Sequence, residues 1–184
     1  MVSLIGRGQK LATQALADMP RRLAHVGGVA AAAQRVVEQR GVKYADQIVA
    51  AAWLHDIGYA PSIKDTGFHP VDGARFVQDA GFPELVVSLV AFHTGARIEA
   101  EERGLSADLA AFTEPGQEPL DVLIFSDMTT SPDGAPIAAP ERIAEILARY
   151  PEADPVHRAV SRSAPDLLDS VSRVEALLTA VQPR

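Results

Sequence analysis

No stretch of this chain alternates apolar and polar residues for long enough to specify a β-strand, and that narrows the possible folds more than any motif does. Thirty-one alanines among 184 residues, with Leu, Arg, Glu and Gln, favour helix throughout. The expected fold class is all-α. The pattern places helices at 3–17, 21–39, 44–55, 71–80, 83–102, 120–128, 140–148 and 155–181, each flanked by Gly, Pro or Asp. Gly41, Gly58, Gly81 and Gly104 each follow or end a helical pattern, where a left-handed residue is expected. The segments 112–119 and 131–139 interrupt every periodicity with Pro, Gly and Ser and are expected to be the least ordered.

The length suits one domain, and 47% hydrophobic with 22% charged residues is enough for an ordinary core. A net charge of −7 and no run of Lys or Arg argue against a nucleic-acid polymer or a membrane surface as partner, since phosphate affinity needs clustered cations. The apolar runs 29–33 and 48–54 fall far short of the ~20 residues of a membrane span. The first ten residues hold too few apolar positions for a signal peptide, so the cytoplasm is the expected location. Without cysteine, any metal must be held by nitrogen and oxygen.

Four of the five histidines sit in motif-like contexts: Arg22-Leu-Ala-His25, Leu54-His55-Asp56-Ile57-Gly58, Gly67-Phe68-His69-Pro70 and Ala91-Phe92-His93-Thr94-Gly95. Asp127 follows in Phe125-Ser126-Asp127-Met128. The adjacent pair His55-Asp56 is the most informative. Neighbouring residues of a helix point about 100° apart, so both can enter one pocket only at a helix end, and Gly58 and Pro61 put an end there. An Asp abutting the apolar run 48–54 is costly to bury unless paired or metal-bound. Imidazole and carboxylate together suit Zn, Fe, Mn, Co or Ni. His25, His55, Asp56 and Asp127 would make one such site; His69 and His93 could bring in a second divalent transition metal, with Asp56 as the bridging carboxylate. Taken singly, His25 also fits a hydrogen-bonded core histidine, His69 and His93 fit substrate contacts or caps, and Asp127 fits a helix-terminal polar residue.

The order His25, His55-Asp56, Asp127 resembles the HD superfamily of metal-dependent phosphohydrolases over about residues 20–130, and the inserted His69 and His93 resemble its binuclear branch. The segments around Arg22–His25 and His93-Thr94-Gly95 are similar to bacterial HD-type hydrolases of diadenosine tetraphosphate. The run His55-Asp56-Ile57-Gly58 with His69-Pro70 and Gly73-Ala74 is similar to cyclic-di-GMP phosphodiesterases of the HD-GYP type. Those enzymes carry a Lys after HDIG and a GYP signature, where this chain has Tyr59 and Ala96-Arg97-Ile98-Glu99, so that substrate is demoted. Tyr59 also departs from the Glu that the mononucleotidase branch uses near this position.

The resemblance implies a single helical domain spanning 1–184, with a C-terminal helical extension over about 140–181. It also implies hydrolysis of a phosphoester or phosphoanhydride in a small phosphorylated molecule, with His55 and Asp56 at the catalytic centre. The same six-ligand core occurs in a mixed-valent di-iron oxygenase branch, which is the alternative. Arg22, one turn before His25 and on its face, and Lys64 and Arg97, which follow ligand segments, are the phosphate-binding candidates. For each the plain alternative is an ion pair or a solvated surface cation. His157 has no motif around it and reads as a surface residue. No general acid stands out, and the oligomeric state is left open.

Overall fold

The structure, a computed structural model, describes residues 3–180. Among these residues there are ten α-helices, one 3-10 turn and no strand. The helices are α1 (Leu4–Ala15), α2 (Pro20–Arg40), α3 (Ala45–Leu54), α4 (His69–Asp79), α5 (Glu84–Phe92), α6 (Ala96–Arg103), α7 (Ser106–Leu109), α8 (Gln117–Met128), α9 (Ala139–Arg149) and α10 (Pro155–Thr179), with the 3-10 turn at Ile57–Tyr59 between α3 and α4. The expected end of the last helix at Val181 lies outside the described residues.

The bundle is organised around α3. Its interior residues, from Ile48 through Ala52 and again at Leu54, are buried on every side. A helix apolar all round must sit inside the fold, and α3 lies against α1, α2, α5 and α8. Ala50, Ala51 and Ala52 let those neighbours come close, while Ile48 and Leu54 fill the space between them. The C-terminus of this helix therefore ends deep in the protein, and the two residues that follow it are His55 and Asp56.

The long α10 packs across α6, α8 and α9. It begins at an Asp154 cap, whose carboxylate accepts from the Val156 N–H at 2.8 Å, and continues through Pro165. Arg173 bolts it to α8 by two 2.7 Å bonds to Asp121.

Several local expectations need correction, among them the start of α8 at Gln117, three residues before 120 and within the segment 112–119. The helix expected over 83–102 is broken into α5 and α6, because His93 is extended and Thr94 and Gly95 have φ of 39° and 76°. Gly58 is not left-handed. A Cβ there would lie 2.1 Å from the His69 carbonyl oxygen and 2.7 Å from the Gly73 nitrogen, so the glycine permits close approach of the 3-10 turn to α4. Gly41, Gly81 and Gly104 do have the expected positive φ. The segment 131–139 is docked rather than loose: a Cβ on Gly134, whose φ is 81°, would lie 2.4 Å from the Ala24 carbonyl oxygen of α2, and a Cβ on Gly28 would lie 2.5 Å from the Gly134 carbonyl oxygen, so two glycines permit the close approach. Helix α4 starts at His69, two residues earlier than expected, since Pro70 is tolerated in a first turn. The short α7 was not expected at all.

Candidate metal centre

The five segments named in the sequence converge. His55 caps α3 in a helical conformation, and Asp56 turns the chain into the 3-10 segment with φ −101° and ψ 9°. That turn lets adjacent residues face one point. His25 projects from the first turns of α2, His69 opens α4, His93 closes α5 and Asp127 lies in the last turn of α8. All are buried except His69, which is partly so.

The Asp56 carboxylate divides between two groups of imidazoles. Its Oδ2 lies 3.6 Å from His55 Nε2 and 4.0 Å from His25 Nε2, whereas its Oδ1 lies 3.4 Å from His69 Nε2 and 3.9 Å from His93 Nε2. His25, His55 and Asp56 form one cluster with metal-ligand spacing, and Asp56, His69 and His93 form another. Asp127 adds to the first side, with Oδ1 3.1 Å from His25 Nε2. Its Oδ2 accepts from the Thr94 hydroxyl at 2.5 Å.

Three of the imidazoles are oriented from behind. Nδ1–H of His55 donates to the Ala52 carbonyl at 2.8 Å, that of His93 to Val90 at 2.7 Å, and that of His25 to Ser131 at 3.0 Å. A carbonyl can only accept, so at His55 and His93 Nδ1 carries the proton and Nε2 keeps its lone pair for the centre, whereas His25 faces an acceptor at both nitrogens, Ser131 at Nδ1 and Asp127 at Nε2, which favours its protonated form. The Ser131 contact is what the docked 131–139 segment contributes.

His55 supplies the test of whether a cation fits. Its ring is fully buried and its Nε2 has no hydrogen-bond partner. A buried lone pair aimed at a carboxylate and a second imidazole is costly unless an electrophile meets it. Burial pushes the His55 pKa down to about 4, and it likewise lowers His69, so both are neutral at pH 7, the state a ligand needs. Burial opposes charge on Asp56 and Asp127 too. There the Arg22 guanidinium and the imidazoles prevail at Asp56, and the His25 hydrogen bond prevails at Asp127, holding both carboxyls well below their usual range. For His25 burial is outweighed by Asp127 and Asp56, and its pKa rises. The donor set of imidazole and carboxylate fits a divalent transition metal.

A cavity of about 70 Å³ opens over these residues. Arg22 lines it, donating to Asp56 Oδ2 at 2.5 Å with its guanidinium 3.8 Å above the Tyr59 ring. Tyr59 in turn stacks on His69 at 4.1 Å between ring centroids, so it walls the site. Lys64 and Arg97 do not line this cavity. Lys64 is exposed on the loop before α4, and Arg97 is drawn away by Glu114, 2.5 Å from its Nη2. His157 is half-buried rather than superficial, its Nδ1 bonded to the Tyr150 carbonyl at 2.9 Å.

The sequence reading missed the other wall. Arg142, Arg149 and Tyr150 of α9 and its end, with Val156 and Val160 of α10, close the cavity, so the C-terminal helices are part of the site rather than an appendage. Arg142, Glu145 and Arg149 fall at i, i+3 and i+7, one helix face, which was the available signal. Glu99, buried beside the site and held by Arg103 at 2.7 Å, was also missed.

Comparison with known proteins gives one result. The family model described as HD domain matches residues 22–147, from Arg22 in α2 to Leu147 in α9. No curated protein and no solved structure matches the chain. Among the described residues no helix is long and apolar enough to cross a membrane.

Proposed function

This chain belongs to the HD-domain family, whose members are mostly metal-dependent hydrolases, and on that premise we propose that it is a phosphohydrolase. Its substrate is a nucleotide or another small phosphorylated metabolite, cleaved at a phosphoester or phosphoanhydride bond. The observation that carries this reading is the division of Asp56, one oxygen toward His25 and His55 and the other toward His69 and His93. That arrangement suits two cations sharing one carboxylate. His25, His55, Asp56 and Asp127 would hold the first, and Asp56, His69 and His93 the second. Bound there, such cations supply Lewis acidity toward phosphoryl oxygens and make water a stronger acid.

The chain's own groups do the rest. Hydrogen bonds from Nδ1 fix three imidazoles before any ligand arrives, so little reorganisation accompanies binding. Thr94 holds the second oxygen of Asp127, leaving Oδ1 directed at the centre. Arg22 brings a permanent charge to the rim of the cavity, where it would neutralise a non-bridging phosphoryl oxygen. Tyr59 and residues of α9 and α10 bound the cavity on its other sides.

The test uses the full chain, stripped with chelator and reloaded separately with Zn, Mn, Co, Ni or Fe, without and with dioxygen. Anaerobic release of phosphate from phosphorylated compounds with a redox-inert cation is expected, because Lewis acidity needs no electron transfer. Asp56→Ala should abolish this turnover and most metal binding. Phosphate release absent with every cation, together with oxygen uptake by the iron form alone, would replace the phosphohydrolase by the di-iron oxygenase.

A further inference from the structure

Beside the small cavity over the histidines lies a larger one of about 310 Å³. The two share Arg22, His25, Arg142 and Arg149 as walls, so they are compartments of one site. The larger is lined by four arginines, Arg21, Arg22, Arg142 and Arg149, and by no carboxylate. In a chain of net charge −7 this is a local reversal of sign.

The partners of these arginines leave a surplus of positive charge. Arg21 is matched by Asp133 at 2.9 Å and Arg22 by Asp56 at 2.5 Å. Arg142 and Arg149, by contrast, share the single carboxylate of Glu145. Glu145 thus holds two guanidinium groups side by side without neutralising both. Arg142 is only 6% exposed, its one side-chain hydrogen bond goes to Glu145, and its Nε has no partner. A buried charged donor left unpaired is costly, and it persists where a ligand completes the set.

We propose that the larger cavity is a second-phosphate subsite, in which Arg142 and Arg149, aligned by Glu145, receive a phosphoryl group other than the one cleaved. This rests on the phosphohydrolase reading for the reaction and goes beyond it in naming the substrate class: a small molecule carrying two or more phosphates. The phosphate to be cleaved sits over the histidines, and the second enters the arginine compartment, where the Nε–Nη2 edge of Arg142, the edge not turned to Glu145, matches two phosphoryl oxygens, while Arg149, whose Nε and Nη2 bond Glu145, offers Nη1. Met19, Pro20 and Pro132 give that compartment an apolar side against which the rest of the substrate can lie.

Binding of inorganic pyrophosphate to the chelator-stripped full chain, measured by calorimetry, isolates the arginines from any cation. Arg142→Gln and Arg149→Gln should each weaken it at least about tenfold, as expected for a lost charge-assisted hydrogen bond. Arg35→Gln, at an exposed position of α2, should leave it unchanged. Arg149 is the more exposed of the pair and guards against a folding failure at Arg142, as does Arg142→Lys, which keeps the charge and loses the fork. In the metal-loaded chain, Arg142→Gln should lower kcat/KM for tripolyphosphate at least about tenfold more than for p-nitrophenyl phosphate, at unchanged metal content. Equal pyrophosphate binding by wild type and both Gln variants overturns the subsite, as does an equal fall for both substrates accompanied by loss of metal. If no cation supports hydrolysis but pyrophosphate binding still depends on Arg142 and Arg149, the subsite stands and the hydrolase reading falls.

Discussion

Gly58 shows how much one residue decides about this centre. It is buried in the 3-10 turn that follows Asp56, and it is in contact with the backbone of α4 at the point where His69 begins that helix. With a Cβ 2.1 Å from the His69 carbonyl, the Gly58→Ala variant must push the turn and α4 apart. Overpacking of this kind costs about 1–3 kcal/mol. The movement falls on His69, whose Nε2 lies 3.4 Å from Asp56 Oδ1 and 3.1 Å from His93 Nε2. Gly58→Ala should therefore lower the unfolding midpoint and, in the folded protein, weaken the His69–His93 side of the centre more than the His25–His55 side. Metal titration followed by calorimetry measures this, and an unchanged stoichiometry and midpoint would contradict it. His157→Ala is the contrasting case. It removes one hydrogen bond to the Tyr150 carbonyl and should cost roughly 1 kcal/mol with metal content intact.

At the scale of elements, the placement of α4 depends on a residue that belongs to no catalytic motif. Asp72, in the first turn of α4, is 2% exposed and accepts from the backbone N–H groups of Asp65, Thr66 and Gly67 at 3.0–3.1 Å, and from the Thr66 hydroxyl at 2.7 Å. Its carboxylate gathers the loop that leads into His69 and sits where the N-terminal helix dipole favours negative charge. Asp72→Ala leaves those donors without their acceptor and should destabilise the fold by roughly 3 kcal/mol. Asp72→Asn keeps one acceptor oxygen and should lose less. Denaturant unfolding of the two variants orders these effects, and equal stability of wild type and Asp72→Ala would show that the loop is held by something else. The break between α5 and α6 is of the same kind. An unbroken helix would carry residue 94 onward along the axis of α5; the extended ψ of His93 and the positive φ of Thr94 and Gly95 turn the chain instead, and Thr94 meets Asp127.

For the molecule as a whole, holding imidazoles neutral in a buried cluster ties stability to pH. His55 has a folded pKa of about 4 against an ordinary 6.5, and His69 is lowered in the same direction. The unfolded chain takes up these protons first as pH falls, so their contribution is full above about pH 6.5 and is lost progressively toward pH 4. For His55 alone the loss reaches about 3 kcal/mol. His25, whose pKa is raised, works oppositely, but its contribution is already complete at pH 6.5 and does not change below it. Asp56 and Asp127 are lowered carboxyls, so their contribution disappears only further into acid. The chelated protein should therefore show a falling urea midpoint between pH 6.5 and pH 4, flattened in His55→Gln. A midpoint constant across that interval would mean that His55 and His69 take up protons in the folded chain as readily as in the unfolded one. Bound cation should add to the fall, because protons displace it from the same Nε2 atoms as pH drops.

What the sequence by itself determined is the helical class, from alanine content and missing alternation, and that His25, His55, Asp56, His69, His93 and Asp127 are side chains the fold brings together. Those residues were legible because each lies in a local pattern, and because only a helix end lets adjacent His55 and Asp56 face one pocket. The boundaries of α5 and α6, the docking of 131–139 and the role of Gly58 were not legible, because each depends on a contact between segments distant in sequence. The arginines divide along the same line. Arg22 shares a helix face with His25 and could be placed from spacing alone, whereas Lys64 and Arg97 were displaced by the loop before α4 and by Glu114. Arg142 and Arg149 reach the site only because α10 and α8 hold α9 over it. Local spacing fixes which side chains share a face; only packing decides which faces meet, since burial is a property of the whole bundle.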